Sequence, residues 1–124
     1  MSEKTKKIAY WFFTLWLSLG MVSTAIVQLM KLPEEVEKIN QLGYPTYFLT
    51  LLGIWKLLGV VAVLIPKFLL LKEWAYAGFF FAMSGAAYSH IVMGHPMTET
   101  LPSVLLLALT IISWSLRPKE RKLF

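Results

Sequence analysis

The stretch YFLTLLGIWKLLGVVAVLI, Tyr47 to Ile65, is 19 residues long and carries a single charged side chain, Lys56. A helix of about 20 apolar residues is long enough to cross a hydrocarbon core of about 30 Å. The stretch is therefore typical of a transmembrane helix that places one lysine near its middle.

The composition of the whole chain is that of a membrane protein. Of its 124 residues, 57% are hydrophobic and 15% are charged, whereas soluble domains carry about 25% charged residues. We predict an all-α fold, an integral membrane four-helix transmembrane bundle, formed by one domain over residues 1–124. The alternative, a soluble helical bundle, is disfavoured because no apolar block has a charged face. The predicted spans are 8–30, 47–65, 74–93 and 101–116.

The first block also has features of a signal peptide. Lys4, Lys6 and Lys7 precede it, and the sequence STA at residues 23–25 resembles a cleavage site. The apolar run continues to Met30, however, whereas the apolar core of a signal peptide has about 7 to 15 residues. We therefore expect a retained helix.

The basic residues predict the orientation of the chain. The first residues, the loop around residues 66–73 and the last eight residues hold nine of the twelve basic residues. Because cytoplasmic loops are rich in Lys and Arg, we expect a multi-pass protein of the cell membrane with both termini in the cytoplasm. The net charge of +5 then needs no nucleic acid partner, and the basic tail is expected to attract anionic lipid headgroups.

The polar insert KLPEEVEKINQLGYP, Lys31 to Pro45, is predicted to be a short amphipathic helix in the first outer loop. Pro33 suits a first helical turn, and Gly43 suits the end of the helix. Such a helix either covers the mouth of the bundle or only connects two antiparallel spans.

The third block combines small and polar residues at helical spacing. The small residues predict close approach of another helix; they are Ala75, Gly78, Ala82, Gly85, Ala86 and Ser89. Polar residues also recur in the first and fourth blocks, and polar groups in lipid usually turn inward. The predicted interior either holds water or a small amphipathic ligand, or its polar groups bond between helices. The candidate site residues are Lys56, Glu73, Tyr76, Ser84, Tyr88 and His90.

The sequence resembles the DoxX-like family of small four-helix membrane proteins. The motifs LGYP, GIWKLLG, LIP, KEWAYAG and GAAYSH carry the resemblance, in this order along the chain. It implies a four-helix transmembrane fold and an association with redox membrane biology, including quinone-coupled sulfur oxidation. It transfers no catalytic residue to this chain.

The residues restrict the chemistry that the chain can support. Without cysteine, it forms no disulfide, thiolate zinc site or iron–sulfur cluster. His90 and His95 lie too close in sequence to hold a haem from two facing elements. We expect no metal, no catalytic residues and no cofactor other than a bound quinone or lipid.

Three functions remain open. The first is a non-catalytic membrane module that binds a quinone, lipid or other hydrophobic small molecule, or that serves as the membrane subunit of a redox complex. The others are a transporter or proton pathway using Lys56, Glu73 and His90, and a membrane enzyme acting on a lipid-like substrate. The expected partners are the lipid bilayer, a hydrophobic small molecule, and another membrane protein or a second copy of the chain.

Lys56 is the most informative of these residues. A lysine at the centre of a transmembrane helix costs about 2.5 to 3.5 kcal/mol on insertion scales, so we expect it to point into the bundle. It then either forms an ion pair with Glu73 on the next span, or holds a polar group of a ligand, such as a quinone carbonyl, with Glu73 as its counter-ion. Ser84, Tyr88 and the hydroxyl groups of the first span are further candidates to contact its ammonium group. Snorkelling toward the lipid headgroups is the third alternative.

Overall fold

The computed structural model describes residues 2–123, apart from the side chain of Glu99. Over these residues the fold is all-α, as predicted, with no strand. A single 3₁₀ turn, Lys119–Arg121, follows the last helix. The helices are α1 (Glu3–Met30), α2 (Pro33–Gln41), α3 (Tyr47–Leu64), α4 (Leu69–Val92) and α5 (Met97–Ser115).

Local sequence explains where α1 and α2 begin and end. Ser2 caps α1, because its hydroxyl accepts a hydrogen bond of 3.2 Å from the backbone N–H of Thr5. Lys31 ends the helix in a left-handed conformation with φ 51°. Pro33 occupies the first position of α2, and Gly43 follows that helix with φ 92°. The predicted helix in the first loop is therefore confirmed.

The last two helices begin earlier than the predicted spans. α4 begins at Leu69 rather than residue 74, and α5 begins at Met97 rather than residue 101. Hydropathy marks only the part of a helix that is apolar enough for lipid, whereas backbone hydrogen bonds continue into the polar flanks. The predicted spans are therefore shorter than α4 and α5 at the N-terminal ends of these helices.

The four long helices pack side by side. α1 contacts α3 and α5, and α4 contacts the same two helices on the other side. Neighbouring helices run antiparallel, since Tyr10 lies near Val63 and Thr24 near Lys56. One end of this assembly holds the start of α1 and the end of α5, and we call it the terminal end. The opposite end, which carries α2, is the loop end.

The interior contains both an apolar core and polar groups. Leu17, Met21, Val63, Phe79 and Leu109 belong to one buried apolar cluster. Most polar residues of the first and fourth blocks that were predicted to turn inward are also buried, whereas Gln28 is half-buried. The buried polar and charged residues are Thr14, Ser18, Lys56, Lys72, Thr100, Ser103, Thr110, Ser113, Arg117 and Arg121.

The outward faces of the same helices carry large apolar side chains. Among the described residues, α1 and α3 are long and apolar enough to cross a membrane, and a shorter apolar stretch covers residues 100–115 of α5. Two of the four predicted spans therefore meet this criterion. The exposed apolar residues include Phe12, Leu19, Ile26, Leu58, Val61, Trp74, Phe81, Ile91, Leu101 and Ile111.

Candidate functional site

A cavity of about 780 Å³ lies at the loop end, and all five helices contribute to its wall. This volume falls within the range of about 300 to 1,000 Å³ that is usual for small-molecule sites. Its apolar wall comes from Leu49, Leu52, Trp55, Phe81, Met83 and Leu106, and its polar lining from Ser23, Thr24, Gln28, Glu35, Lys38, Tyr44, Lys56, His90 and Ser103.

Lys56 lies in this cavity and points into the protein. Its side chain is buried, with a residue exposure of 7%, and its Nζ donates a hydrogen bond of 3.1 Å to the hydroxyl of Thr24 on α1. An ammonium group has three N–H donors. This is the one hydrogen bond that Lys56 makes to a described group, and Glu99, whose side chain is not described, is not counted, so two N–H donors have no acceptor among the described groups.

The predicted ion pair between Lys56 and Glu73 is wrong. Glu73 lies near the terminal end, where it pairs with Arg117 of α5. Lys56 instead faces the loop end, where the cavity wall includes Glu35 of α2. Snorkelling toward lipid is also wrong, because the residue is buried.

Two histidines lie at the rim of the cavity. Nδ1 of His90 is 2.9 Å from Nδ1 of His95, so one ring donates a hydrogen bond to the other. Beside them, the hydroxyl groups of Tyr44 and Ser89 are 3.1 Å apart, and this hydrogen bond joins the segment after α2 to α4. The rim is therefore built from hydrogen bonds between segments that are distant in sequence.

Four of the small residues predicted on α4 line the cavity: Gly78, Ala82, Gly85 and Ala86. A Cβ atom added to Gly78 or Gly85 would meet nothing within 4 Å among the described residues. For these two glycines, the prediction of a close helix contact is wrong. Ala75 and Ala82, in contrast, pack against the buried apolar cluster.

A separate polar cluster lies at the terminal end. Trp114 Nε1 donates a hydrogen bond of 2.9 Å to Glu73 Oε2, and the guanidinium of Arg117 forms an ion pair with the same carboxylate. The guanidinium also lies 4.5 Å from the centre of the Trp114 ring, which is a cation–π contact. This cluster connects α4 to α5 and to the first residues of the tail.

Hydroxyl groups continue the cluster toward the middle of the protein. The hydroxyl of Ser113 lies 2.7 Å from that of Tyr76 and 2.5 Å from that of Thr14. These three residues join α5 to α4 and α1. They give helix-to-helix hydrogen bonding, which was one of the two predicted uses of the polar residues.

Two basic side chains bind the C-terminal carbonyl groups of α3. Arg121 donates hydrogen bonds of 2.6 Å to the carbonyl of Val63 and 3.1 Å to that of Leu64, and Lys72 donates one of 3.0 Å to that of Ala62. Positive charge is favourable at this end of a helix. Burial, together with the positive charge of Arg121, lowers the pKa of Lys72 to about 8.

The six predicted site residues thus fall into three groups. Lys56 and His90 line the cavity, and Glu73 and Tyr76 belong to the terminal cluster. Tyr88 is 70% exposed, and Ser84 donates a hydrogen bond to the carbonyl of Phe81 in its own helix. The hydroxyl groups of the first span were among the predicted partners of Lys56, and Thr24 is the one that binds it. Trp114, Arg117 and Arg121 were not predicted as partners, because each binds a residue far away in sequence.

The packed helices with apolar outward faces define a small helical membrane protein. The sequence profile of the DoxX-like family matches residues 12–113. The chain therefore belongs to the DoxX-like family, as its motifs indicated. No curated protein and no solved structure matches the chain significantly.

Proposed function

We propose that this protein is a four-span membrane module that binds a quinone, a lipid or another small amphipathic molecule in the cavity at its loop end. The observation that carries the proposal is the cavity of about 780 Å³ in which a buried lysine faces apolar and aromatic walls. Such a combination of apolar walls and few polar groups is typical of small-molecule sites.

The four-span arrangement is supported by the distribution of side chains. Large apolar residues cover the outward faces of α1, α3, α4 and α5, whereas hydroxyl groups and charges lie between these helices. Water would favour the opposite distribution, and lipid favours this one. α4 and α5 would then cross the membrane beside α1 and α3.

Access to the cavity from the membrane is supported by the face between α3 and α4. Trp55 of α3 and Phe81 of α4 line the cavity and are 55% and 70% exposed. An amphipathic molecule would enter sideways past these two side chains, beside Gly78 and Gly85. The role as a redox-complex subunit and the binding of a protein partner stay predictions from the family resemblance.

The test is mass spectrometry of small molecules retained after gentle detergent extraction. We expect the protein to retain a lipophilic molecule, and the variant Gly85→Leu to retain much less of it, because the new side chain would fill the cavity. Ala108→Leu is the matched control, since it enlarges an exposed residue of α5 that does not line the cavity. Equal retention by all three proteins, or retention by none, would contradict the proposal.

A further inference from the structure

We propose that the molecule bound in the cavity is an anionic amphiphile whose negatively charged head pairs with the ammonium group of Lys56. This inference rests on the proposed ligand site and specifies the chemical class of its ligand. It does not depend on the route by which the ligand enters.

The first argument is the charge of the cavity lining. Lys38 and Lys56 contribute two positive charges and Glu35 contributes one negative charge, so the described lining carries a net charge of +1 when His90 is neutral. Glu35 is the one carboxylate among the described lining residues, and it serves two lysines, because Nζ of Lys38 lies 4.0 Å from it and its charge also acts on Lys56. One carboxylate cannot compensate both ammonium groups, so the described lining keeps an excess of positive charge.

The second argument is hydrogen bonding. Thr24 accepts one hydrogen bond from Lys56, and within the described residues the other two N–H groups have no protein acceptor. A buried ammonium group is costly unless it is paired and hydrogen-bonded. A carboxylate or phosphate would supply both the negative charge and the acceptor oxygens, whereas a neutral carbonyl would supply only an acceptor.

The third argument is the surroundings of the ammonium group. Gln28 also lines the cavity, and its side-chain amide has two N–H donors, which an anionic head could use. Beside these polar groups the wall has apolar side chains, including Met83 and Leu106. A cavity that combines polar and apolar lining in this way matches a molecule with a charged head and an apolar chain.

The experiment uses the full chain in nanodiscs of zwitterionic phosphatidylcholine, with dodecanoate and 1-dodecanol as probes. These probes have the same chain and differ in the charge of the head. We expect the unaltered protein to bind dodecanoate at least about tenfold more tightly than 1-dodecanol. A tenfold difference in affinity corresponds to about 1.4 kcal/mol, and a hydrogen bond to a charged group contributes about this much or more. Equal affinity for the two probes would overturn the inference.

Variants then assign the preference to Lys56. Lys56→Met should lose the preference for dodecanoate and keep its affinity for 1-dodecanol, while Lys56→Arg should keep the preference. Lys67→Met, at an exposed residue that does not line the cavity, should also keep it. A preference that persists in a folded Lys56→Met variant, verified by circular dichroism and gel filtration, would overturn the inference. If that variant does not fold, the comparison of the two probes in the unaltered protein still decides the question.

A last arm distinguishes two sources of the anionic head. Phosphatidylglycerol added to the nanodiscs should displace dodecanoate if the natural ligand is an anionic phospholipid, and should leave its affinity unchanged if the ligand is a free amphiphilic acid. If neither dodecanoate nor 1-dodecanol binds and no molecule co-purifies, the proposed function itself fails. If both probes bind equally, only the anionic class fails.

Discussion

Glu73 and Arg117 form an ion pair whose side chains are only 10% and 5% exposed. The indole N–H of Trp114 donates a hydrogen bond to the same carboxylate. Removing one member of a buried pair leaves the other charge without compensation, and this loss usually exceeds the value of the pair itself. The pair therefore makes the contact between α4 and the end of α5 sensitive to single substitutions.

We expect Glu73→Ala to lower the free energy of unfolding by roughly 3 to 5 kcal/mol, because Arg117 would remain buried without a counter-ion. The double variant Glu73→Ala, Arg117→Met should recover much of this loss. The measurement is unfolding of the detergent-solubilised protein in a denaturant titration, followed by circular dichroism.

Glu120→Gln is the matched control for this prediction. Glu120 pairs with Lys7 at 3.0 Å, but both side chains are more than half exposed, and exposed ion pairs contribute little to stability. We expect no measurable change in the control. A Glu73→Ala variant as stable as the unaltered protein would show that the ion pair does not stabilise the fold.

At the scale of elements, the glycines of α3 and α4 differ in the room around them. A Cβ atom built on Gly59 of α3 would lie 2.5 Å from the ring of Phe79 of α4, so these helices touch there without spare room. On α4, a Cβ atom built on Gly78, the residue before Phe79, or on Gly85 would meet nothing within 4 Å among the described residues. Glycine therefore allows close packing at Gly59 of α3, whereas on α4 it leaves space at Gly78 and Gly85.

We expect Gly59→Ala and Gly78→Ala to change stability in opposite directions. Gly59→Ala should destabilise the fold, because overpacking costs about 1 to 3 kcal/mol and outweighs the better helix propensity of alanine. Gly78→Ala should stabilise it by about 0.5 to 1 kcal/mol, because alanine favours the helix and meets no neighbour. Thermal unfolding of both variants in the same detergent tests this, and a gain in stability for Gly59→Ala would refute the close contact.

The helices were predictable from the sequence, and most of their contacts were not. Apolar blocks, Pro33 and Gly43 are local features, so they indicated where the helices lie to within a few residues. The partner of Glu73 depends on the rotation of α4 against α5, which no local pattern determines. Lys56 was a predicted partner because Glu73 is the carboxylate near a span within its reach, whereas the structure brings Arg117 to Glu73, 44 positions later.

At the scale of the whole molecule, the two ends are built differently. At the terminal end, side chains of Lys72, Arg117 and Arg121 are buried and bound to backbone carbonyls or to Glu73. Three of the nine basic residues behind the predicted orientation therefore also stabilise the fold. Six remain to support the orientation through their charge alone, including Lys119 and the exposed Lys67.

The last prediction tests both the orientation and the number of spans. The chain has no cysteine, so single cysteines placed at exposed residues report their side of the membrane without interference. We expect Lys38→Cys and Met93→Cys to react with an impermeant thiol reagent added outside intact cells, and Lys67→Cys and Lys119→Cys to react only after the cells are opened. Met93 is decisive, because it follows α4 at the loop end. If only α1 and α3 crossed the membrane, residue 93 would stay on the same side as residue 67, and both would be protected. If Lys119→Cys but not Lys38→Cys were labelled in intact cells, the orientation would be the reverse of the predicted one.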